Sequence, residues 1–160
     1  MRLVSAVALL LHLLTFGSLA YMLLTVVAAH RWRGAAQPPT PKLPSEPVSL
    51  LRPVRGVDAD AYESFATFCR QDHPCYEILF GVLDADDPVL PILERLREDF
   101  PQVTLRIVVG SPILGPNLKV CNLAGLEAEA RHPILVLCDS DMRAEPDFLR
   151  RVTAPLRQPE

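Results

Sequence analysis

Between Leu3 and Ala29 the sequence has no aspartate, glutamate, lysine or arginine. One charge at mid-bilayer costs roughly 3 kcal/mol, so a span of this length without any charge fits a membrane helix. At about 1.5 Å per residue it exceeds a hydrocarbon core of about 30 Å, and some tilt is expected. A cleavable signal peptide, with Ala28-Ala29 as its weak processing site, is the rival. Its apolar core runs to about 15 residues, and the one here is nearly twice as long. Other absences bound the rest. The net charge is −3, which gives no electrostatic basis for binding nucleic acid. The four cysteines, Cys69, Cys75, Cys121 and Cys138, show no Cys-x-x-Cys spacing, so a zinc site is not expected. They read as reduced structural thiols, which suits the cytosol. No internal repeat is visible.

Arg2 stands alone before the apolar span, whereas Arg31, Arg33 and Lys42 follow it. By the positive-inside rule the carboxyl-terminal side faces the cytoplasm, with Tyr21 and Trp32 placed to sit near the interface. After the anchor of residues 1–30, residues 31–47 carry Pro38, Pro39, Pro41, Pro44 and Pro47. Proline at that density favours an extended, semi-rigid spacer holding the next domain off the membrane.

From residue 48 to 160 the pattern alternates. Val48–Leu51 reads as a short strand ended by Pro53 and Gly56. Tyr62, Phe65, Ala66 and Cys69 recur at helical spacing. Glu77–Leu83 is a second strand, and Pro88 suits the first turn of a helix with Val89, Ile92, Leu93, Leu96 and Phe100 inside. Val103–Val109 is a third strand. A Gly/Pro-rich loop from Gly110 to Pro116 leads into a helix carrying Lys119, Asn122, Leu123, Leu126 and Ala130. Ile134–Cys138, an unbroken apolar run, reads as a strand buried on both faces, and Pro146 as the start of another helix. Connections too long for hairpins imply right-handed crossovers: an α/β domain with a mainly parallel sheet and helices on both faces, behind an amino-terminal transmembrane helix.

Acidic clusters follow two of these strands. Asp84, Asp86 and Asp87 come after the second, and Asp139 and Asp141 after the fourth, so both fall on the carboxyl edge where open α/β sheets bind ligands. Two carboxylates about 5 Å apart repel by roughly 3 kcal/mol at an effective dielectric near 20. Such a pair is comfortable in solvent, sharing a proton, or around a hard cation such as Mg²⁺ or Mn²⁺ that also holds phosphate oxygens. One reading is a nucleotide-sugar site. Asp84, Asp86 and Asp87 would accept hydrogen bonds from a base and ribose, Asp139 and Asp141 would hold a divalent ion on the diphosphate, and Lys119 would add positive charge. Against it stand plainer roles: Asp86 and Asp87 capping the helix after them, Lys119 as a solvated helix residue. A haloacid-dehalogenase-like phosphatase also places Asp-x-Asp after a strand, but there the motif opens the domain, and Met142-Arg143 departs from the usual small residue and threonine. A phospho-receiver domain needs its lysine after the last acids, whereas Lys119 precedes them. A non-catalytic nucleotide- or metal-binding membrane protein is the remaining alternative. His73 and His132 each precede a proline in a loop and read as surface polar residues.

Taken jointly, Val48-Ser49-Leu50-Leu51-Arg52-Pro53-Val54-Arg55-Gly56-Val57-Asp58, Asp72-His73-Pro74 with Tyr76-Glu77, Asp84-Ala85-Asp86-Asp87-Pro88, Gly115-Pro116-Asn117-Leu118-Lys119-Val120-Cys121-Asn122-Leu123 and Cys138-Asp139-Ser140-Asp141-Met142-Arg143 resemble the GT-A glycosyltransferases, in their ceramide-glucosyltransferase-like branch. The resemblance runs from Val48 to Val152. It implies a UDP-sugar donor, a divalent cation, a lipid acceptor at the membrane face and inversion at the sugar carbon. Asp87 best matches the family's first signature aspartate, which contacts uridine, and Asp139 and Asp141 match its metal and diphosphate motif. Ceramide glucosyltransferases proper look more like Asp-Ser-Gly here, so Asp141 leans toward the hopanoid-biosynthesis-associated bacterial relatives. The family's third aspartate, the general base, and its Gln/Arg-x-x-Arg-Trp motif are expected beyond Glu160. On this reading the chain is the donor-binding half of an enzyme and does not transfer sugar alone.

Overall fold

The computed structural model describes residues 2–34 and 46–157. Most of the proline-rich spacer therefore lies outside the described residues.

The amino-terminal unit is one helix, α1, Arg2–Gly34, a few residues longer than the anchor drawn from sequence. Its stretch Ser5–Trp32 is long and apolar enough to cross a membrane, and every side chain in it is exposed. Its polar groups turn back onto the helix. Thr15 Oγ1 donates to Leu11 O (2.8 Å), Thr25 Oγ1 to Tyr21 O (2.6 Å) and His12 Nδ1 to Ala8 O (2.6 Å). Satisfying donors within the segment is what a water-free surrounding demands.

The second unit is an α/β sandwich. Its four strands are β1 Val48–Val54, β2 Tyr76–Val82, β3 Thr104–Val109 and β4 Ile134–Leu137, all parallel, in the order β3-β2-β1-β4. The helices are α2 Ala61–Cys69, α3 Leu90–Asp99, α4 Leu118–Glu129 and α5 Phe148–Thr153, followed by a short 3₁₀ turn. Residues of β1 alternate between the two faces. Val48, Leu50 and Val54 join Phe65, Phe68, Phe80 and Leu93 in the larger core, which α2 and α3 cover. Leu51 joins Leu79 and Leu126 in a smaller core beneath α4. Each fully buried side chain of this kind contributes on the order of 2 kcal/mol.

Four expectations change, one of them at His73, which is 5% exposed and not a surface residue. First, β1 does not end before Pro53 but continues through it, Pro53 pairing with Gly81 in register. Leu51 O accepts the N–H of Cys138 on the β4 side (3.1 Å), so two residues later Pro53 turns its nitrogen to the same side. There β4's pairing has already stopped at Leu51↔Leu137, and no ladder bond is lost. Second, β4 is not buried on both faces. Among the described residues it pairs with β1 alone, and its Ile134 and Val136 turn to the core while Leu135 and Leu137 are 42% and 52% exposed on the α4 side. A continuous apolar run does not tell which face of a strand is covered. Third, Pro88 precedes α3 rather than opening it, and Pro91 takes the first turn. The four cysteines are free, as expected, with Cys75 exposed and the others buried.

At the amino edge of the sheet sits a buried carboxylate. Glu77 is 1% exposed and accepts hydrogen bonds from Ser49 Oγ (2.6 Å) and the N–H of Arg131 (2.8 Å), with Arg106 Nη1 3.7 Å away. Burial alone would push its pKa up. The hydrogen bonds from Ser49 and Arg131, with His132 and Arg106 nearby, outweigh that and hold it below the ordinary carboxylate value. Glu77 thereby fastens β1, β2 and the connection into β4 together.

Candidate functional site

In the order β3-β2-β1-β4 the chain steps outward from β1 in one direction and then returns to β1's other side, so the topology reverses between β1 and β4. Open parallel sheets bind ligands at the carboxyl ends of the strands beside such a reversal. A cleft of about 810 Å³ opens there. Its walls come from the ends of β1, β2 and β4 and from the first turns of α4. They include Asp84, Asp87, Lys119, Asp139 and Asp141. Carboxylates from both acidic loops thus meet around one space with the expected lysine.

Asp86 is different. It is exposed and outside the lining, and its backbone N–H donates to Asp84 Oδ1 (3.0 Å), closing a turn that holds the Asp84 side chain. Asp87 lines the cleft but is only 7% exposed. The N–H of Gly56 donates to both of its oxygens at 3.0 Å and that of Val89 to Oδ1 at 2.9 Å. Gly56 has φ 67°, in the left-handed region that suits glycine, which turns its N–H toward Asp87. Asp87 therefore ties the loop after β1 to the loop after β2 and directs the chain into α3. Neither acid takes the capping role weighed from sequence: the N-cap of α3 is Val89, with no side-chain cap hydrogen bond, and Asp87 instead closes the turn ahead of the helix.

The loop after β4 is open. Asp139 Oδ1 lies 2.5 Å from Lys119 Nζ, both side chains half exposed, a pair of the kind worth under about 1 kcal/mol. Asp141 makes no hydrogen bond or ion pair with the described residues. Among those residues no cluster of three or more His, Cys, Asp and Glu forms a metal cage. Lys119 reaches the cleft because α4 starts beside it, its first turn capped by Asn117 Oδ1 accepting the N–H of Val120 (3.2 Å). The helix is seated closely on the sheet at Gly81. Asn122 Nδ2 donates to Gly81 O (2.8 Å), and a Cβ at Gly81 would stand 2.1 Å from Asn122 Oδ1 and 2.9 Å from Leu126 Cδ1.

Sequence reasoning missed Arg52. Strand parity puts it on the same face as Leu50 and Val54, and it is fully buried. Its guanidinium lies 4.0 Å from the Phe68 ring centroid, 5.2 Å from that of Phe65 and 5.9 Å from that of Phe80. Nη2 donates to the carbonyls of Asp139 (2.9 Å), Ser140 (2.9 Å) and Met142 (3.4 Å). Burial lowers its pKa to about 10, against the pull of Cys138, Cys69, Asp141 and Asp139 toward the charged form. The available signal was a charged residue at the apolar phase of an alternating strand.

The loop's far side is fastened to α2 and the residues after it. Thr67 Oγ1 accepts the N–H of Ala144 (3.1 Å), Gln71 Nε2 donates to Glu145 O (2.9 Å), and the N–H of Asp72 donates to Pro146 O (2.8 Å). Arg143 pairs with Asp60 at 3.1 Å.

Comparison with known proteins agrees with this architecture. The family model described as Glycosyl transferase family 21 matches residues 8–160. Ceramide glucosyltransferase 1 of Caenorhabditis elegans is 28% identical over 109 residues, which cover 68% of this chain and 23% of the relative. Ceramide glucosyltransferase of Gibberella zeae is 30% identical over 119 residues, covering 68% of this chain and 22% of the relative. The chain thus spans less than a quarter of the length of these curated relatives. Among solved structures, the mannosyltransferase PcManGT from Pyrobaculum calidifontis, in complex with GDP-Man and Mn²⁺, superposes with a TM-score of 0.64 at 23% identity, over 86% of this chain and 40% of that one. S. aureus TarS 1–349 in complex with UDP-GlcNAc gives 0.52 at 20% identity, over 68% of this chain and 30% of that one.

Proposed function

The chain belongs to glycosyl transferase family 21, and on that premise we propose that its α/β unit is the donor-binding part of a membrane-anchored glycosyltransferase that takes sugar from a UDP-sugar to a lipid acceptor, with inversion. The observation that carries this reading is the single cleft shared by Asp84, Asp87, Lys119, Asp139 and Asp141 at the reversal between β1 and β4. Asp84, exposed and with one oxygen accepting the N–H of Asp86, would offer its carboxylate to the base and ribose, while Asp87, both oxygens accepting backbone hydrogen bonds, shapes that wall. Asp139 and Asp141 would hold a divalent ion and Lys119 would balance diphosphate charge.

The donor set suits Mg²⁺ or Mn²⁺: two exposed carboxylates with only oxygen to offer, leaving the remaining positions to phosphate and water. When bound, such an ion neutralises the diphosphate and stabilises it as leaving group. Lys119 and the amino-terminal turn of α4 favour the same negative charge from the opposite wall. The relatives' ceramide glucosyltransferase names support a sphingoid or similarly amphipathic acceptor drawn from a membrane. Arg31 and Arg33, set against Arg2 alone, support a cytoplasmic α/β unit. No described residue is assigned as the base that takes the acceptor's proton.

Calorimetry of the full chain in detergent with UDP, with and without Mn²⁺, tests the reading. Wild type should bind UDP more tightly when Mn²⁺ is present, and Asp141→Ala should lose that gain. Equal UDP affinity with and without the ion in wild type would refute it.

A further inference from the structure

A buried arginine needs a reason other than stability. Taking its charge out of water costs several kcal/mol, and an apolar side chain of similar volume generally serves a core as well or better. Arg52 lies among three phenylalanine rings at full burial, and its Nε and Nη1 have no hydrogen-bond partner among the described residues. The hydrogen bonds it does make all go, through Nη2, to the backbone of one segment, Asp139 to Met142. That segment carries the two open carboxylates of the cleft.

We infer that Arg52 is a positioning residue for the acidic loop, setting the aim and spacing of Asp139 and Asp141 toward the cation and diphosphate; the inference rests on reading that pair as the cation grip. Peptide carbonyls drawn inward onto Nη2 leave the flanking side chains of Asp139 and Asp141 to turn outward, and both line the cleft. The guanidinium's position is fixed on the strand between β2 and β4, by the phenylalanine rings beneath it, so the loop takes its register from the sheet and not from solvent. A lysine ends in a compact ammonium without the flat guanidinium face that lies over the Phe68 ring, so it is not held in the same place.

The test compares wild type, Arg52→Lys, Arg52→Met and Asp141→Ala as full chains in detergent, reading thermal unfolding, UDP affinity without metal, and the gain in UDP affinity on adding Mn²⁺. Both Arg52 variants should fold and keep metal-free UDP affinity within about twofold, while the Mn²⁺-dependent gain falls by about 10-fold or more, the usual scale for losing a residue that orients a metal's ligands. The electron paramagnetic resonance lines of protein-bound Mn²⁺·UDP should change in Arg52→Lys, a signature that mere loss of core stability does not produce. If wild type shows the gain, Asp141→Ala loses it, and the folded Arg52 variants retain it, the inference falls while the cleft reading stands. If wild type shows no gain, both fall together. If neither Arg52 variant folds, Arg52 belongs to the core alone and the inference is overturned.

Discussion

The two acidic loops of this sheet edge resemble each other in sequence and differ in how they are held. After β2, Asp87 is buried and its carboxylate accepts backbone N–H groups from Gly56 and Val89, so the loop is braced by its own acid. After β4, Asp139 and Asp141 are exposed, and the bracing is supplied by Arg52 beneath and by α2 alongside. A carboxylate accepting three backbone hydrogen bonds is part of the scaffold. The acids after β4 are supported through the carbonyls of Asp139, Ser140 and Met142, which leaves their side-chain oxygens only the half-exposed ion pair of Asp139 with Lys119. Charge alone does not separate the two cases; the hydrogen-bond partners do.

That contrast is broken most severely at Asp87. Asp87→Ala strands the buried N–H of Val89 and the partly buried N–H of Gly56, and should cost about 3 kcal/mol of unfolding free energy in urea titration. Asp141→Ala should do the reverse. Its unfolding free energy should stay within about 0.5 kcal/mol of wild type, while the Mn²⁺-dependent part of UDP binding drops on the order of 100-fold, about 2.7 kcal/mol.

Glu77 at the opposite edge extends the comparison, being a third acid and the most buried. Its folded-state pKa lies below the ordinary value, so it contributes stability above pH about 4.5, and this is lost as pH falls through the lower folded value. Glu77→Gln should lose about 1–2 kcal/mol at neutral pH and show a shallower acid limb in stability measured against pH. The smallest effect is expected at Lys119. Lys119→Met should leave stability unchanged and weaken UDP binding by about threefold, an effect that fades in high salt because the charge is half exposed.

The parallel sheet, the order of strands and helices and the carboxyl-edge placement of both acid clusters were legible because hydrophobic period and turn residues are local signals. The burial of β4 was not. Val136 and Leu137 both pair with β1, and only what packs on each sheet face decides which is covered. Likewise, Asp84, Asp86 and Asp87 look equivalent in a string. They separate into an exposed acid lining the cleft, a turn residue outside it and a buried brace, and the brace depends on Gly56, thirty-one positions upstream of Asp87. Arg52 was quoted within a motif and given no role, since its contacts with residues near 140 cross the whole domain.

Gly81 shows how a residue with no side chain can govern charge at a distance. Because nothing projects from it, Asn122 and Leu126 settle directly on β2, and the helix they belong to delivers its lysine to the acids across the cleft. Adding even one methyl there would press against Asn122 and Leu126 and shift the helix on the strand, together with the lysine one turn before Asn122. Natural variation at position 81 would thus change the cleft's electrostatics without altering a single charged residue.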